Sequence, residues 1–541
     1  MKRVCIYLVR EPDKRHIGYI LHALSAWEKA GVPVEVLCAG KAPKELEAAK
    51  PRSVRLETGF AAVLEEHAAA DELIVMDDRL MGPLSPVEEL LKKADHFDGD
   101  LWIMARRAPL VGLRGKAKTS VPLLTALTKG ELSLERVCKS QRLTMGVLYD
   151  AAAMETLTAD PLLDEPLRAV RELGCPFFLH ELFHRDYDEV IIRTLGHQAQ
   201  LFYQWLMKSH PQIIPPLWDY LLANHSQEDL FFNMKLSYIL PTRGCRTDAV
   251  EEHLKTHPLA LVMHLHYEDK IHEALAYASR FPAATHVYVT TNTERKRDLI
   301  QETLGKLNVA HLEVRVIQNR GRDVSSRLVG VRDIYDQHDY VCYFHDKKTL
   351  QTKPGSIGAG FAYKCEENMF GTRDYVYNII SLFAQNERLG MVSPPAPHHG
   401  SYSFTLGTNW GPNYKLTKAA YDKLGFHVPI SEDKMPIAPL GSCFWFRTKA
   451  MQPMLSYPWS YDDFPPEPLR EDGTILHALE RIPPYACAEA GYYPAYVLTD
   501  RYAGLEYSSL RYYVRGYNQI CAKRGMISYH RSMREEIARR L

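Results

Sequence analysis

The sequence predicts an α/β protein of two tandem domains, and three observations carry that reading. Apolar runs of strand length alternate with stretches of helical spacing, the alternation restarts after a polar, turn-rich segment, and two charged clusters stand directly behind strands. A chain of 541 residues exceeds one ordinary core, and the length favours two to four domains. Two are expected, over 1–240 and 257–541, with a linker at 241–256.

The first half opens with a strand over 4–9, a helix over 17–30 and a strand over 34–38. A helix over 44–49, a strand over 53–57, a helix over 60–69 and a strand over 72–77 follow. The second half repeats the order: strand 259–264, helix 271–280, strand 286–290, helix 294–306, strand 312–317, helix 324–336, strand 340–344. This repetition predicts an internal duplication. Its sharpest point is Glu57-Thr58-Gly59-Phe60 ahead of Met76-Asp77-Asp78, set beside Asn319-Arg320-Gly321-Arg322 ahead of His345-Asp346. The first copy lacks the second copy's arginines and lysines.

Sixty-six lysines and arginines balance 66 aspartates and glutamates, so no global field attracts nucleic acid, and any anion site must be local. Ten cysteines are scattered without a Cys-X-X-Cys pair, which fits reduced thiols in a cytoplasmic protein. No apolar run reaches the roughly 20 residues that span a bilayer, and Met1-Lys2-Arg3 leads into a strand rather than a cleavage site. Near the C-terminus Arg511, Arg515, Lys523 and Arg524 interleave with Tyr512, Tyr513 and Tyr517. Such a stretch suits a solvated helix face, the commoner case, or a peripheral membrane contact.

Parallel strands joined by crossover helices bind ligands outside their carboxyl ends. Gln318-Asn319-Arg320-Gly321-Arg322-Asp323 and His345-Asp346-Lys347-Lys348-Thr349 both fall on that edge. They suit a leaving diphosphate, whose charge a protein neutralises with fixed cations or a divalent metal. Two versions stay open: Asp346 as an oxygen ligand for magnesium or manganese, or Arg322, Lys347 and Lys348 acting directly with His345 as donor. One acid beside two lysines favours the second. The plainer readings are a solvated loop at Lys347-Lys348 and a turn in which Gly321 is left-handed and Asp323 caps a helix.

Farther on, a loop through His398, His399, Thr408, Asn409 and Trp410 sets polar groups beside an expected exposed aromatic, as a sugar pocket requires. A metal pair of His398 and His399 is disfavoured, because adjacent side chains diverge on extended backbone. Gly441-Ser442-Cys443-Phe444-Trp445 and Arg470-Glu471-Asp472-Gly473-Thr474 complete the set. Glu471 or Asp472 suits a general base, and Asp472 equally suits a helix N-cap.

On these blocks the second half resembles the rhamnan synthesis protein F family, bacterial proteins of rhamnose-containing cell-surface polysaccharide assembly. The likeness covers most of 255–505 and rests on Val262-Met263-His264-Leu265-His266-Tyr267, Val287-Tyr288-Val289-Thr290-Thr291-Asn292, the 319–324 and 344–349 clusters, Gly390-Met391-Val392, Gly441–Trp445 and Asp472 through Arg481. The first half is similar more weakly, through 76–84 and 174–178.

The resemblance implies a GT-A-like, Rossmann-like nucleotide-diphospho-sugar transferase fold, which the repeated order makes two tandem domains. The first lacks the asparagine-glycine-arginine cluster and has Arg79 behind Asp77-Asp78; it is either a second transferase with a metal-based site or, the preferred reading, a degenerate copy that positions acceptor or partner. It implies transfer of rhamnose or a related deoxyhexose, from dTDP-rhamnose or a GDP-linked donor, onto a lipid-linked glycan. It places Thr290, Thr291 and Asn292 by the base or ribose, and Asn319, Gly321, Arg322, Asp323, His345, Asp346, Lys347 and Lys348 by the diphosphate. His398, His399, Asn409, Trp410, Gly441 and Ser442 then fall by sugar or acceptor, and Asp472 or Glu471 is the base of an inverting displacement. His345-Asp346-Lys347 stands where many such enzymes carry an Asp-X-Asp metal motif. The family pattern commonly has threonine at the place of Asp346, so this acid reopens the choice between no metal and magnesium or manganese. The competing expectation is a non-catalytic glycan-binding or scaffolding subunit of a polysaccharide-assembly complex. In either case the expected place is the cytoplasm or the inner face of the cell membrane.

Overall fold

The computed structural model of the protein describes residues 1–154, 158, 160–346, 353–402, 410–470 and 472–523. The chain divides into two compact units, Met1–Asn224 and His225–Leu541. The first holds β1 (Arg3–Val9), β2 (Val34–Ala39), β3 (Arg52–Val54), β4 (Glu72–Asp77), β5 (Leu80–Met81), β6 (Leu101–Ile103), β7 (Leu110–Arg114), β8 (Met145–Val147) and β9 (Phe178–Leu179). The second holds β10 (Ser237–Leu240), β11 (Leu259–His264), β12 (His286–Thr291), β13 (His311–Val316), β14 (Tyr340–His345), β15 (Leu389–Ser393), β16 (Phe444–Arg447) and β17 (Tyr493–Thr499).

Both main sheets have one topology. The first runs β3-β2-β1-β4-β7-β6-β8, and the second runs β13-β12-β11-β14-β16-β15-β17 with β10 added outside. In each, the seventh position in chain order is parallel to its neighbour, and one strand, β7 or β16, is antiparallel to both neighbours. The central strands are almost wholly buried, as β-branched and aromatic runs covered on both faces should be.

The units divide at 224/225, upstream of the expected linker. β10 pairs in parallel with β17, so Ser237–Leu240 is an edge strand of the second sheet. Helix Thr247–Leu254 packs on helix Arg373–Gln385, which places most of 241–256 in the second unit as well.

The registers identify equivalent residues. Leu8 pairs with Asp77 across β1 and β4, as His264 pairs with His345 across β11 and β14. The next residue is aspartate in both copies. Asp78 accepts the backbone N–H groups of Arg10 and Glu11, at 2.9 and 3.1 Å. Asp346 accepts those of His266 and Tyr267, at 2.8 and 2.6 Å. Each carboxylate therefore clamps the loop that leaves the neighbouring central strand. A second shared device is an arginine on the antiparallel strand. Arg114 donates to the carbonyls of Ala94 and Phe97 at the end of helix Val87–Asp95, and Arg447 to those of Phe383 and Asn386 at the end of helix Arg373–Gln385. Cations at helix C-termini are favoured by orphan carbonyls and the helix dipole.

Packing has exchanged sizes between the copies. Trp102 on β6 faces Gly112 on β7, whereas Val392 on β15 faces Trp445 on β16. A Cβ on Gly112 would lie 2.1 Å from the Trp102 ring.

The expected likeness between Gly59 and Gly321 does not hold. Helix Leu56–Glu66 starts earlier than the sequence pattern implied, so Thr58, Gly59 and Phe60 lie inside it. Gly321 instead takes a left-handed conformation, φ 82°, ahead of the helical turn Arg322–Ser325. The helix expected over 324–336 is three pieces: that turn, a π-helical turn Ser326–Gly330 and a 3₁₀ segment Arg332–Gln337.

Two predictions follow from these packing and clamp geometries. Gly112→Ala drives a methyl group into the Trp102 indole and is expected to cost about 1–3 kcal/mol in urea denaturation, whereas a solvent-facing Gly→Ala such as Gly504→Ala is not. Burial pushes the Asp346 carboxyl up to about 6 against the opposing pull of its two backbone donors. Below the ordinary carboxylate range the group is protonated folded and unfolded; as pH rises through about 6 the folded chain alone must bury the charge, so its contribution to stability falls. Asp346→Asn keeps an oxygen for both amides without that charge, and its stability relative to wild type is expected to rise between about pH 4 and 7. A difference that stays flat with pH would sink this account.

Candidate functional site

In the second unit the chain leaves β11 toward β12 and β13 on one side, while β14 leads to β16 and β15 on the other. The crevice outside the carboxyl ends of β11 and β14 is therefore the topological switch point, where open α/β sheets bind ligands. The sequence-predicted residues distribute around this edge.

His345 closes β14. Its Nε2 donates to the Gly441 carbonyl at 3.0 Å, while its Nδ1 lies 3.1 Å from the Asp346 carbonyl. Gly441 N–H in turn donates to Glu480 on helix Ile475–Arg481. Gly441 and Ser442 both have positive φ, 100° and 52°. This turn presents its carbonyl to His345 and its amide to Glu480, tying the strand end to the helix.

Asp346 is buried and committed through Oδ2 to two amides. Lys296 is among the charges that pull its carboxyl down, and Asp269 among those that push it up. Among the described residues it belongs to no cluster of three carboxylate, imidazole or thiolate ligands. A magnesium or manganese ion needs several oxygen donors, so these residues fit a backbone clamp better than a resident metal. Lys347 and Lys348 lie outside the described residues, as do Asn409 and Glu471.

Thr290 and Thr291 are fully buried and use their hydroxyls inside the protein. Thr290 Oγ1 lies 2.7 Å from Ser326 Oγ and 2.9 Å from His264 Nδ1, and Thr291 donates to the Leu265 carbonyl at 2.8 Å. Burial pushes the His264 imidazole down to about 4, so at neutral pH it is uncharged. Asn292 is half-buried and accepts from Lys296 at 2.8 Å.

The arginine loop behind β13 is engaged by an acidic segment. Arg322 makes a two-pronged pair with Glu467, 2.8 and 3.2 Å, and Arg320 donates to Asp462 at 2.9 Å and to the Phe464 carbonyl at 2.6 Å. Phe464 sits on Gly321, where a Cβ would lie 2.7 Å from its ring. Glycine is thus required both by φ and by contact. Asn319 is exposed, and the Asp323 carbonyl accepts from the Tyr343 hydroxyl at 2.5 Å.

Asp472 is about half exposed. It accepts from Asn413 Nδ2 at 2.9 Å and from the Gly473 amide at 2.7 Å. Burial pushes its carboxyl up, but those two donors, with His477 and Arg481, hold it below the usual range. It is not the helix cap: Thr474 occupies that position, its hydroxyl 2.8 Å from His477 Nδ1.

His398 and His399 point apart, as the extended backbone implied. His398 is buried against Glu506 at 3.4 Å, and His399 Nε2 faces the Ile357 carbonyl at 3.0 Å. Trp410 is not the exposed aromatic anticipated. Its ring packs against Tyr414 and Tyr485, and its indole N–H donates to the Lys434 carbonyl at 2.8 Å.

Several residues of this edge escaped the sequence reading. Arg327 is 2% exposed, its guanidinium lies over the rings of Tyr343 and Phe444, and none of its nitrogens has a hydrogen-bond partner among the described residues. The only cue was an arginine four residues after Asp323. Glu467 and Asp462 stand in an acidic, proline-rich stretch that is opposite in charge to Arg320 and Arg322 but some 140 residues away in sequence.

The equivalent edge of the first unit is closed by its own charges. Asp77 is buried between Arg10, 2.6 Å away, and Arg79, 2.5 Å away. Both guanidiniums spend their remaining donors on the carbonyls of Leu127, Thr128 and Gly130. Asp78 behind them is pushed up to about 7, first by burial and then by Asp77.

Residues 139–492 match the family model described as rhamnan synthesis protein F. The matched span holds β10 to β16, and with them every predicted site residue. It also holds the 174–178 block of the first unit but not 76–84. Two curated relatives are similar, the uncharacterized proteins WxcX of two strains of Xanthomonas campestris pv. campestris. Each is 23% identical over 233 residues, which is 43% of this chain and 32% of the relative. The chain thus matches about a third of the length of these relatives. A match over well more than half of the sequence, through the whole candidate site, places this chain in the rhamnan synthesis protein F family.

Proposed function

We propose that the second unit is a glycosyltransferase of bacterial surface polysaccharide synthesis, moving rhamnose or a related deoxyhexose from a nucleotide-diphosphate donor to a lipid-linked glycan. The observation that carries this reading is the pairing of Arg322 with Glu467 on the carboxyl edge of the sheet. A guanidinium already holding a bidentate carboxylate at a half-exposed site has the geometry to hold a phosphate in its place. Arg320 adds a second cation beside it, holding Asp462 through one nitrogen and the Phe464 carbonyl through another. The shared topology of the two sheets, with its crevice beside β11 and β14, supports the GT-A-like reading in both units.

In the reaction so read, the acceptor hydroxyl transfers its proton to the Asp472 carboxylate while its oxygen bonds to the anomeric carbon. The bond from that carbon to the diphosphate oxygen breaks, and the nucleoside diphosphate leaves toward Arg320 and Arg322. One displacement inverts the anomeric centre. The hydrogen bonds from Asn413 and Gly473 keep Asp472 ionised and oriented. We read the donor as held by cations without a resident metal, because Asp346 is buried and commits Oδ2 to two backbone amides. The self-satisfied Arg10–Asp77–Arg79 cluster favours a non-catalytic role for the first unit, in positioning acceptor or partner.

The test is calorimetric binding of a panel of nucleotides and deoxyhexose nucleotides to the intact protein, with and without manganese. One donor is expected to bind, Arg322→Ala to weaken it tenfold or more, roughly one charge-assisted contact, and Glu467→Gln to tighten it by freeing Arg322. Lys347→Ala with Lys348→Ala is expected to weaken it as well. Asp472→Asn should leave donor binding intact while turnover falls by about 10²–10⁴-fold. A folded protein that binds no donor overturns the reading in favour of a glycan-binding subunit.

A further inference from the structure

The helix that ends the described chain, Asp500–Lys523, is the longest of the described helices and buries few of its side chains. Its root is seated: Tyr502 is buried, and Glu506 meets His398. Beyond Glu506 the character changes. Tyr507, Tyr512, Val514, Tyr517 and Ile520 are each more than half exposed, and Tyr513 is 41% exposed. Soluble surfaces rarely leave so many large apolar groups together on one element.

The arrangement is amphipathic. At 100° per residue Tyr513, Tyr517 and Ile520 form one stripe, with Tyr512 and Val514 flanking it, while Arg511 and Arg515 lie on the opposite side with Ser508 and Asn518. From Tyr507 to Lys523 there is no acidic residue, and the three charges, Arg511, Arg515 and Lys523, are all exposed cations. In a chain whose charges cancel as a whole, residues 507–541 carry eight lysines and arginines against two glutamates. No described helix is long and apolar enough to cross a membrane.

We propose that this helix is a docking element for an anionic lipid bilayer, lying in the interface with its tyrosine, valine and isoleucine face among the headgroups. Tyrosine is suited to that zone because its ring is apolar and its hydroxyl stays hydrated. Arginines on the far side reach back along their apolar stems to lipid phosphates. The charge pattern selects this occupant: a protein partner for a purely apolar stripe would not need cations without a single acid, and a second copy of the same helix would meet like charge. The helix also leaves β17 at the carboxyl edge of the sheet, the edge that carries the candidate site. A membrane held there would bring a lipid-borne acceptor to that edge. The docking itself does not depend on the reaction proposed above.

The experiment is flotation of the full-length protein with vesicles of phosphatidylcholine alone or with phosphatidylglycerol, at low and high salt. Binding to the anionic vesicles is expected, weak on the neutral ones. Arg511→Glu with Arg515→Glu should reduce the partition by roughly tenfold or more at low salt. Tyr512→Ser, Tyr513→Ser and Tyr517→Ser together should reduce it at both salt concentrations. All five positions are exposed, and circular dichroism checks that the variants stay folded. Failure to float with either vesicle overturns the proposal, as does anionic binding that neither variant set changes. Sedimentation showing self-association that the tyrosine variant abolishes, without vesicle binding, would assign the face to a second copy instead.

Discussion

In each unit two neighbouring parallel strands part company at their carboxyl ends, and a buried aspartate holds the opening. Asp346 reaches from the end of β14 to the amides that follow β11, as Asp78 does from β4 to those that follow β1. The loop after a strand has amides with no ladder partner, and a buried amide left unpaired costs about 1–3 kcal/mol. One carboxylate satisfying two of them sets the course of the loop. The remaining edge is built on that course: His345 next to the clamp reaches Gly441, and Gly441 reaches Glu480.

The two units show how one frame tolerates different chemistry. Strand order, the direction of each strand, the aspartate clamp and the arginine that staples a helix end are shared. Core volume is conserved only in sum, since the tryptophan sits on β6 in one sheet and on β16 in the other. The edge residues diverge most. Where the second unit has His345, the first has Asp77 locked between two arginines whose other donors are used up on carbonyls. A closed charge triad satisfies itself. The second unit instead keeps its loop arginines on carboxylates that water reaches, and such pairs contribute little stability and exchange readily.

Beneath that loop the second unit holds a less comfortable arrangement. His264, Thr290 and Ser326 form a neutral buried chain, and Arg327 lies against aromatic faces without a hydrogen-bonded acceptor among the described residues. Ring faces offset part of the cost of a buried guanidinium but do not replace lost hydrogen bonds. The π-helical turn that carries Ser326 and Arg327 is the local irregularity that turns them inward, in a stretch whose apolar spacing alone implied an ordinary helix.

Much of this was legible in the chain before any fold was known. Strand positions near 4–9, 72–77, 259–264 and 340–344, the repeated order, the family blocks and the clusters behind β13 and β14 all follow from local pattern, because side-chain periodicity and turn residues act over a few positions. What needed tertiary structure were the pairings across distance. Nothing near Arg322 announced Glu467, nothing near Trp410 announced Tyr485, and Thr290 and Thr291 looked available although Ser326 and the Leu265 carbonyl take up their hydroxyls. The chain by itself determined the leading strands of each half and the charged clusters that follow β13 and β14. Only the folded packing decided which of those groups are consumed by one another and which still face solvent, because burial and ion pairing depend on neighbours that the linear sequence places more than a hundred residues apart.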